Sequence, residues 1–215
     1  MGTHHGSGRE RPARRMAPQQ RREHLIATAL LLYRDRPPQD VSVDEIAAAA
    51  DVSRALFYRY FSNVGELHVA ALGTVVDELT TRLTSVADGP LEGQLREALG
   101  EFIGVVRNYP STYAALLRTG SALATSGTSG LVERVRDHVV RLVLDRLGLA
   151  DPAPLLLVTI RGWVSFVETA LLTWLRNPDP EQERLEPWLV DQLLAMARAT
   201  AEHDAQSAEQ LAGVL

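Results

Sequence analysis

The stretch SVDEIAAAADVSRALFYRYF, Ser42 to Phe61, gathers the side chains with the most to offer a partner. Arg54 and Arg59 carry planar donor forks of the kind that pair with guanine O6 and N7. Ser42 and Ser53 stand where helices should start, and with Tyr58 and Tyr60 they supply hydroxyls that donate to phosphate oxygens. Ala55 among them is small enough to let the backbone approach a surface. This is the chemistry of recognition, and no bond-making constellation stands beside it. The sequence has no glycine-rich phosphate loop, no nucleophile elbow and no cluster with metal-ligand spacing. His24, His68, His138 and His203 lie on separate segments, and the His4–His5 pair is not read as a metal site. With no cysteine there is neither a disulfide nor a thiolate site. No catalytic residue, metal or cofactor is expected, and the chain is not read as an enzyme.

These side chains need elements to hold them. SVDE has the pattern of a capping box, Ser42 accepting from the Glu45 amide and Glu45 reaching back to that of Ser42. It should open a short helix over about Val43 to Ala50. A three-residue turn, DVS, then leads to a second short helix, RALFYRY. Together they form a helix-turn-helix, whose second helix lies in a major groove. At about 100° per residue, Phe57 and Phe61 share one face and Val52 closes the turn on the same side, so these three should be core. Ala55 and Arg59 lie opposite, Leu56 and Tyr58 flank, and Arg54 reaches outward on its long stem.

The stretch from Ser42 to Leu67 resembles the N-terminal DNA-binding domain of the TetR family of bacterial repressors, and the match covers about Arg22 to Leu72. The shared pattern is a Ser/Thr before the first motif helix, Ile-Ala, a Gly-Val-Ser turn and an aromatic-rich recognition helix ending in Phe. Two positions depart from it. Asp51 replaces the usual turn glycine, and Asp tolerates the left-handed conformation. Val64 stands where the family usually has a phosphate-binding Lys.

The remainder reads as helix after helix. A helical period runs from Gln19 to about Arg34, and RPPQD ends it. NVGE offers a cap at Asn63 for a long helix to about Val86. Helices follow at about Leu91 to Asn108, Pro110 to Thr119, Leu131 to Leu147, Pro154 to Leu175 and Glu183 to Glu209, with SGTSG a mobile loop. The fold class is all-α, with about nine helices: an N-terminal helix-turn-helix domain and a larger helical ligand-binding and dimerisation domain. We divide the chain into an arginine-rich flexible arm (1–18), the DNA-binding domain (19–67) and the larger domain (68–215).

Charge follows the same division. Up to Ser62 there are 10 arginines against 7 acidic residues, a surplus of +3 in a chain of net −5, so the rest carries −8. A basic front suits a polyanion. Arg9, Arg11, Arg14, Arg15, Arg21 and Arg22 lead into the first helix and either lie along a DNA backbone or form a solvated tail. MGTHHGSG is either vector-derived or native, with Met16 an alternative initiator. No run approaches the roughly 20 apolar residues that span a bilayer, and the start does not read as a secretory signal. A cytoplasmic protein without membrane association is expected.

In a TetR-like regulator the middle helices hold an effector pocket. Phe102, Val106, Tyr109, Tyr113 and Leu117 cluster around the NYP break, and Trp163 and Phe166 could face them. Glu168 shares a face with Arg161 and, with Ser165, forms a polar stripe that anchors a ligand, pairs internally or faces water. Such walls suit a small hydrophobic or aromatic effector. The resemblance implies a homodimer through the last two long helices, with Ile160, Val164, Leu171, Leu189, Leu193 and Met196 at the seam. Two such motifs would then read a palindromic double-stranded operator, and the effector would release it by population shift. The alternative is a helical protein-interaction module without specific DNA binding.

Overall fold

The computed structural model describes residues 16–86, 89–117 and 126–213. Among these the chain forms ten α-helices and no strand. Helix α1 (Pro18–Leu32) begins with proline in its first turn, where the missing N–H costs nothing. It turns Leu25, Ile26 and Ala29 inward, and Tyr33 just beyond its end is also buried. After a 3-10 turn (Pro38–Asp40) comes α2 (Val43–Ala49). The expected capping box forms: the Glu45 amide donates to Ser42 Oγ at 3.2 Å, and Glu45 Oε2 accepts from the Ser42 amide at 2.9 Å. Asp51 takes the left-handed conformation, φ 51°, in place of a glycine.

Helix α3 (Arg54–Phe57) is a single turn, shorter than the sequence suggests, and Tyr58 to Tyr60 continue it as a tighter turn. Phe57 and Phe61 are buried with rings 5.7 Å apart, and Val52 packs against the same core. Helix α4 (Val64–Thr84) starts at Asn63, whose side chain accepts from the Glu66 amide at 2.9 Å. It runs unbroken past Leu67 and His68, where the sequence reading divides two domains. Its first turns complete the N-terminal core with Leu67 and Ala71.

The second core is built by α5 (Leu91–Asn108), α7 (Ser126–Arg146), α8 (Pro154–Trp174), α9 (Gln182–His203) and α10 (Ala205–Leu211), with α6 (Pro110–Leu117) bridging toward the first. SGTSG is not a loop: it is the first turn and more of α7, because Thr128 and Leu131 are buried and packing outweighs the poor propensity of Gly and Ser. The last predicted helix divides at Asp204, whose carboxylate caps α10 by accepting from the Ser207 amide at 2.8 Å.

Helices α8 and α9 pack antiparallel, Thr159 meeting Thr200 at 2.6 Å near one end and Phe166 meeting Trp188 toward the other. That pairing corrects the expected dimer seam. Ile160, Val164, Leu171, Leu189 and Leu193 are buried within the single chain, and Met196 packs half-buried on the same core. Helices α5 and α7 cover the apolar stripes that the sequence offers to a partner. Helix α8 is, against expectation, long and apolar enough by length and composition to cross a bilayer. One side of it fills a protein core with Leu156, Ile160, Trp163, Val164, Val167 and Leu171, and its Arg161 and Glu168 pair with α7 through Asp137 at 3.0 Å and Arg136 at 2.7 Å.

Where the two cores meet, Tyr33 and His68 are both buried, their rings edge-on at 5.6 Å. Neither the Tyr33 hydroxyl nor His68 Nε2 has a hydrogen-bond partner among the described residues. Burial pushes the tyrosine up and the histidine down to about 4. An unfolded chain therefore takes up the His68 proton first, so its contribution to stability is full above pH ~6.5 and drains away as pH falls toward 4. Denaturant melts at pH 7 and pH 4.5 should differ by about 2 kcal/mol from this group, and His68→Phe should remove that share of the pH slope.

Candidate DNA interface and effector cavity

The outward side of α2 and α3 carries Ser53, Arg54, Ala55, Tyr58 and Arg59, all exposed. Tyr58 keeps 45% of its surface in water although its ring meets Phe57 edge-on at 5.4 Å. Ser53 Oγ accepts from the Leu56 amide at 3.1 Å, which leaves its hydroxyl proton free to donate. Ser42 differs: its hydroxyl donates to Glu45 Oε2 at 2.8 Å, so this proton is committed within the cap. Glu45, with Arg36 at 2.8 Å, is held down to about 2, first by the Ser42 amide. Arg59 makes no ion pair among the described residues and is the least committed cation on this face.

Arg54 is not free. Its Nη1 donates to both carboxylate oxygens of Asp44, at 3.1 and 3.0 Å, and its guanidinium lies 5.8 Å from the centre of the Tyr58 ring. The sequence reading missed Asp44, since ten positions separate it from Arg54 and only the angle between α2 and α3 brings them together. Tyr60 is half-buried against the N-terminal core, at the margin of the face rather than on it. Arg22 stacks over the Phe61 ring at 4.9 Å, Arg21 is half-buried beside it, and Val64 packs into the core. Arg9, Arg11, Arg14 and Arg15 lie outside the described residues.

The larger domain holds two apolar cavities that share Phe102, Val135 and Glu168 in their walls. One, of about 100 Å³, lies among α4, α5, α6 and α7 and is lined by Val106, Tyr109, Tyr113 and Leu117. The other, of about 60 Å³, reaches Trp163 on α8 and ends toward Gln94 and Arg146. Seven of the expected pocket residues are thus brought together. Phe166 is not among them: it sits about 60° further around α8 than Trp163 and packs on Trp188, ring centres 5.5 Å apart. The expected stripe on α8 is also split. Glu168 turns inward to Arg136 at 2.7 Å, raising the guanidinium pKa, whereas Arg161 turns to Asp137. The Tyr113 hydroxyl donates to the Glu168 carbonyl at 3.4 Å, and burial pushes its pKa up.

The larger cavity touches the N-terminal domain. Tyr109 lines it and packs against the first core. Thr112, also lining it, donates to the Tyr33 carbonyl at 3.4 Å.

A helix-turn-helix carried on a helical domain with an apolar cavity defines a DNA-binding regulator. The comparisons agree with that class. Residues 25–71 match the family described as bacterial regulatory proteins, tetR family, and residues 91–196 match the tetracyclin repressor-like C-terminal domain. A solved tetR-family transcriptional regulator from Streptomyces coelicolor is 33% identical, with a TM-score of 0.88 over 93% of this chain and 90% of that one. The transcriptional regulator EthR of Mycobacterium tuberculosis is 32% identical over 98 residues, 46% of this chain, which thus spans about half (45%) of its length. The transcriptional activator FasR of Mycolicibacterium smegmatis is 26% identical over 180 residues, 81% of each chain. The chain belongs to the TetR family of bacterial transcriptional regulators.

The exposed face separates two roles that a binding assay resolves. Tyr58→Phe should weaken binding about twofold to fivefold on every duplex, as expected for loss of a phosphate contact. Arg59→Ala should weaken binding and also flatten the preference at one base pair, measured by titrating single-base variants of a bound duplex.

Proposed function

We propose that this chain is a homodimeric repressor, released from a palindromic operator by a small apolar or aromatic effector bound in the larger domain. The observation that carries the reading is the wall shared between cavity and DNA-binding core. Tyr109 and Thr112 line the one and touch the other, so a ligand that moves α6 acts on α1 and α4 directly. Such a ligand shifts the DNA-competent population only as far as it prefers the other state. The cavity walls are mostly aliphatic and aromatic, with polar groups at Arg136, Glu168, Tyr113 and Thr112 and, at one end of the smaller cavity, Gln94 and Arg146, which favours a greasy molecule carrying a few hydrogen-bonding groups. The N-terminal domain acts as the DNA-binding unit and the larger domain as the sensor and dimer platform.

The dimer reading moves to the outer faces of α8 and α9. Leu155, Val158, Gly162 and Phe166 follow one another at helical spacing along α8, and Val158 leaves 64% of its surface uncovered. On α9, Trp188 and the small Ala195 and Ala199 are exposed. A ridge of large side chains beside small ones is a surface against which a second helix pair packs closely. Val158→Asp should convert dimers to folded monomers by analytical ultracentrifugation, while Ile160→Asp should unfold the chain at a cost of more than about 3 kcal/mol.

A second reading, activation, is favoured by the likeness to FasR, which is named an activator. A gel-shift titration against duplex from the chain's own upstream region separates these possibilities. A specific, salt-sensitive shift over a palindrome that overlaps the promoter is expected. No specific shift at low or moderate salt would defeat the regulator reading in favour of a protein-interaction module.

A further inference from the structure

Asp44 stands out on the face that meets DNA. It is an exposed carboxylate on a surface meant for a polyanion, where it repels every phosphate that approaches. Ser42 and Glu45 already cap α2, so the helix start does not depend on it. As an ion pair it is a poor source of stability, because its side chain and that of Arg54 are 68% and 59% exposed.

What it does is fix a guanidinium. Both Asp44 oxygens accept from Nη1 of Arg54, at 3.1 and 3.0 Å. The guanidinium lies across the Tyr58 ring at 5.8 Å, with Nη2 turned toward the Tyr58 hydroxyl at 3.5 Å. An otherwise floppy side chain is held at both ends of its planar group. Asp44 takes Nη1 and the Tyr58 hydroxyl takes one Nη2 hydrogen, which leaves Nε–H and the other Nη2 hydrogen as an edge, and no described residue accepts from Nε. That edge belongs to the first residue of α3, the end of a recognition helix that approaches base edges. A fixed pair of parallel donors matches the O6 and N7 acceptors of guanine.

We propose that Asp44 is a positioning residue for sequence specificity: it holds Arg54 off the phosphate backbone and presents the Nε–Nη2 edge to one G·C base pair in each half-site. This rests on the DNA-binding reading given above. The carboxylate lowers affinity for DNA in general and sharpens the choice among sequences, so removing it strengthens the wrong complexes.

The test is selection of duplexes from a randomised double-stranded library by the full-length chain, with sequencing of what is retained. Wild type should enrich G·C at one position per half-site, and Arg54→Ala should lose that preference alone. Asp44→Ala should lose the preference at the same position, yet bind a non-specific duplex severalfold more tightly, with a salt slope steeper by about one as Arg54 turns to a phosphate. Asp44→Asn, which keeps the shape and one acceptor, should fall between, and Asp44→Ala/Arg54→Ala should show the base preferences of Arg54→Ala. If Asp44→Ala and Asp44→Asn both retain the wild-type preference at that position, the assignment is overturned. A wild-type chain that enriches no sequence overturns the DNA-binding reading itself, a result distinct from the first.

Discussion

The unbroken course of α4 is the constraint on which the rest of the molecule depends. Its 21 residues span about 31 Å at 1.5 Å per residue, and a helix without proline or a bulge curves only gently over that length. Leu67 and Ala71 near its start lock into the core that carries the recognition turn. Leu72, Val75, Val76 and Leu79 further along form a wall of the larger cavity, and Leu83 reaches the smaller one. One helix thus contributes both to the core beneath α3 and to the walls of the two cavities. Helix α6 adds a second link through Thr112 and Tyr33. At this junction the Tyr33 hydroxyl and His68 Nε2 are buried with no hydrogen-bond partner among the described residues.

The polar side chains are distributed with similar economy. At the DNA face most of them serve a local task before any partner arrives: Ser42 and Glu45 close a helix start, Arg36 braces Glu45, and Arg22 covers Phe61. Arg59 makes no ion pair among the described residues, and Arg54 is paired with Asp44. In the larger domain Arg136 and Glu168 pair with each other at the wall of the apolar cavities. A lone charge there would be costly, and pairing leaves no net charge to desolvate.

Much of the recognition motif was legible because its signals are local. A capping box, an αL-tolerant Asp51 and aromatic residues four apart are each settled within a few positions of sequence. That Tyr109, Tyr113 and Leu117 line a cavity follows from a dense apolar run around a proline break, which has few places to go but inward. Three features resisted. SGTSG looked like a loop because propensity is weighed residue by residue, whereas the burial of Thr128 and Leu131 is decided by neighbouring helices. The Asp44–Arg54 pair depends on an interhelix angle that no periodicity encodes. Ile160 and Leu193 were misjudged because an apolar stripe says that a face is covered and not by which helix.

The sequence by itself determined that this chain is all helix, that a helix-turn-helix stands at its front, and which face of the recognition turn is core and which is free. Those are properties of hydrophobic period, caps and turn residues, and they act over one or two helical turns. Only the tertiary structure decided which apolar surfaces satisfy one another within the chain and which remain exposed on the outside of α8 and α9. It also decided that Glu168 faces a cavity and Phe166 does not, and that Arg54 is held by a carboxylate. These outcomes depend on how helices far apart in sequence are packed, because a side chain's neighbours across an interface are set by crossing angle and register rather than by its own place in the chain.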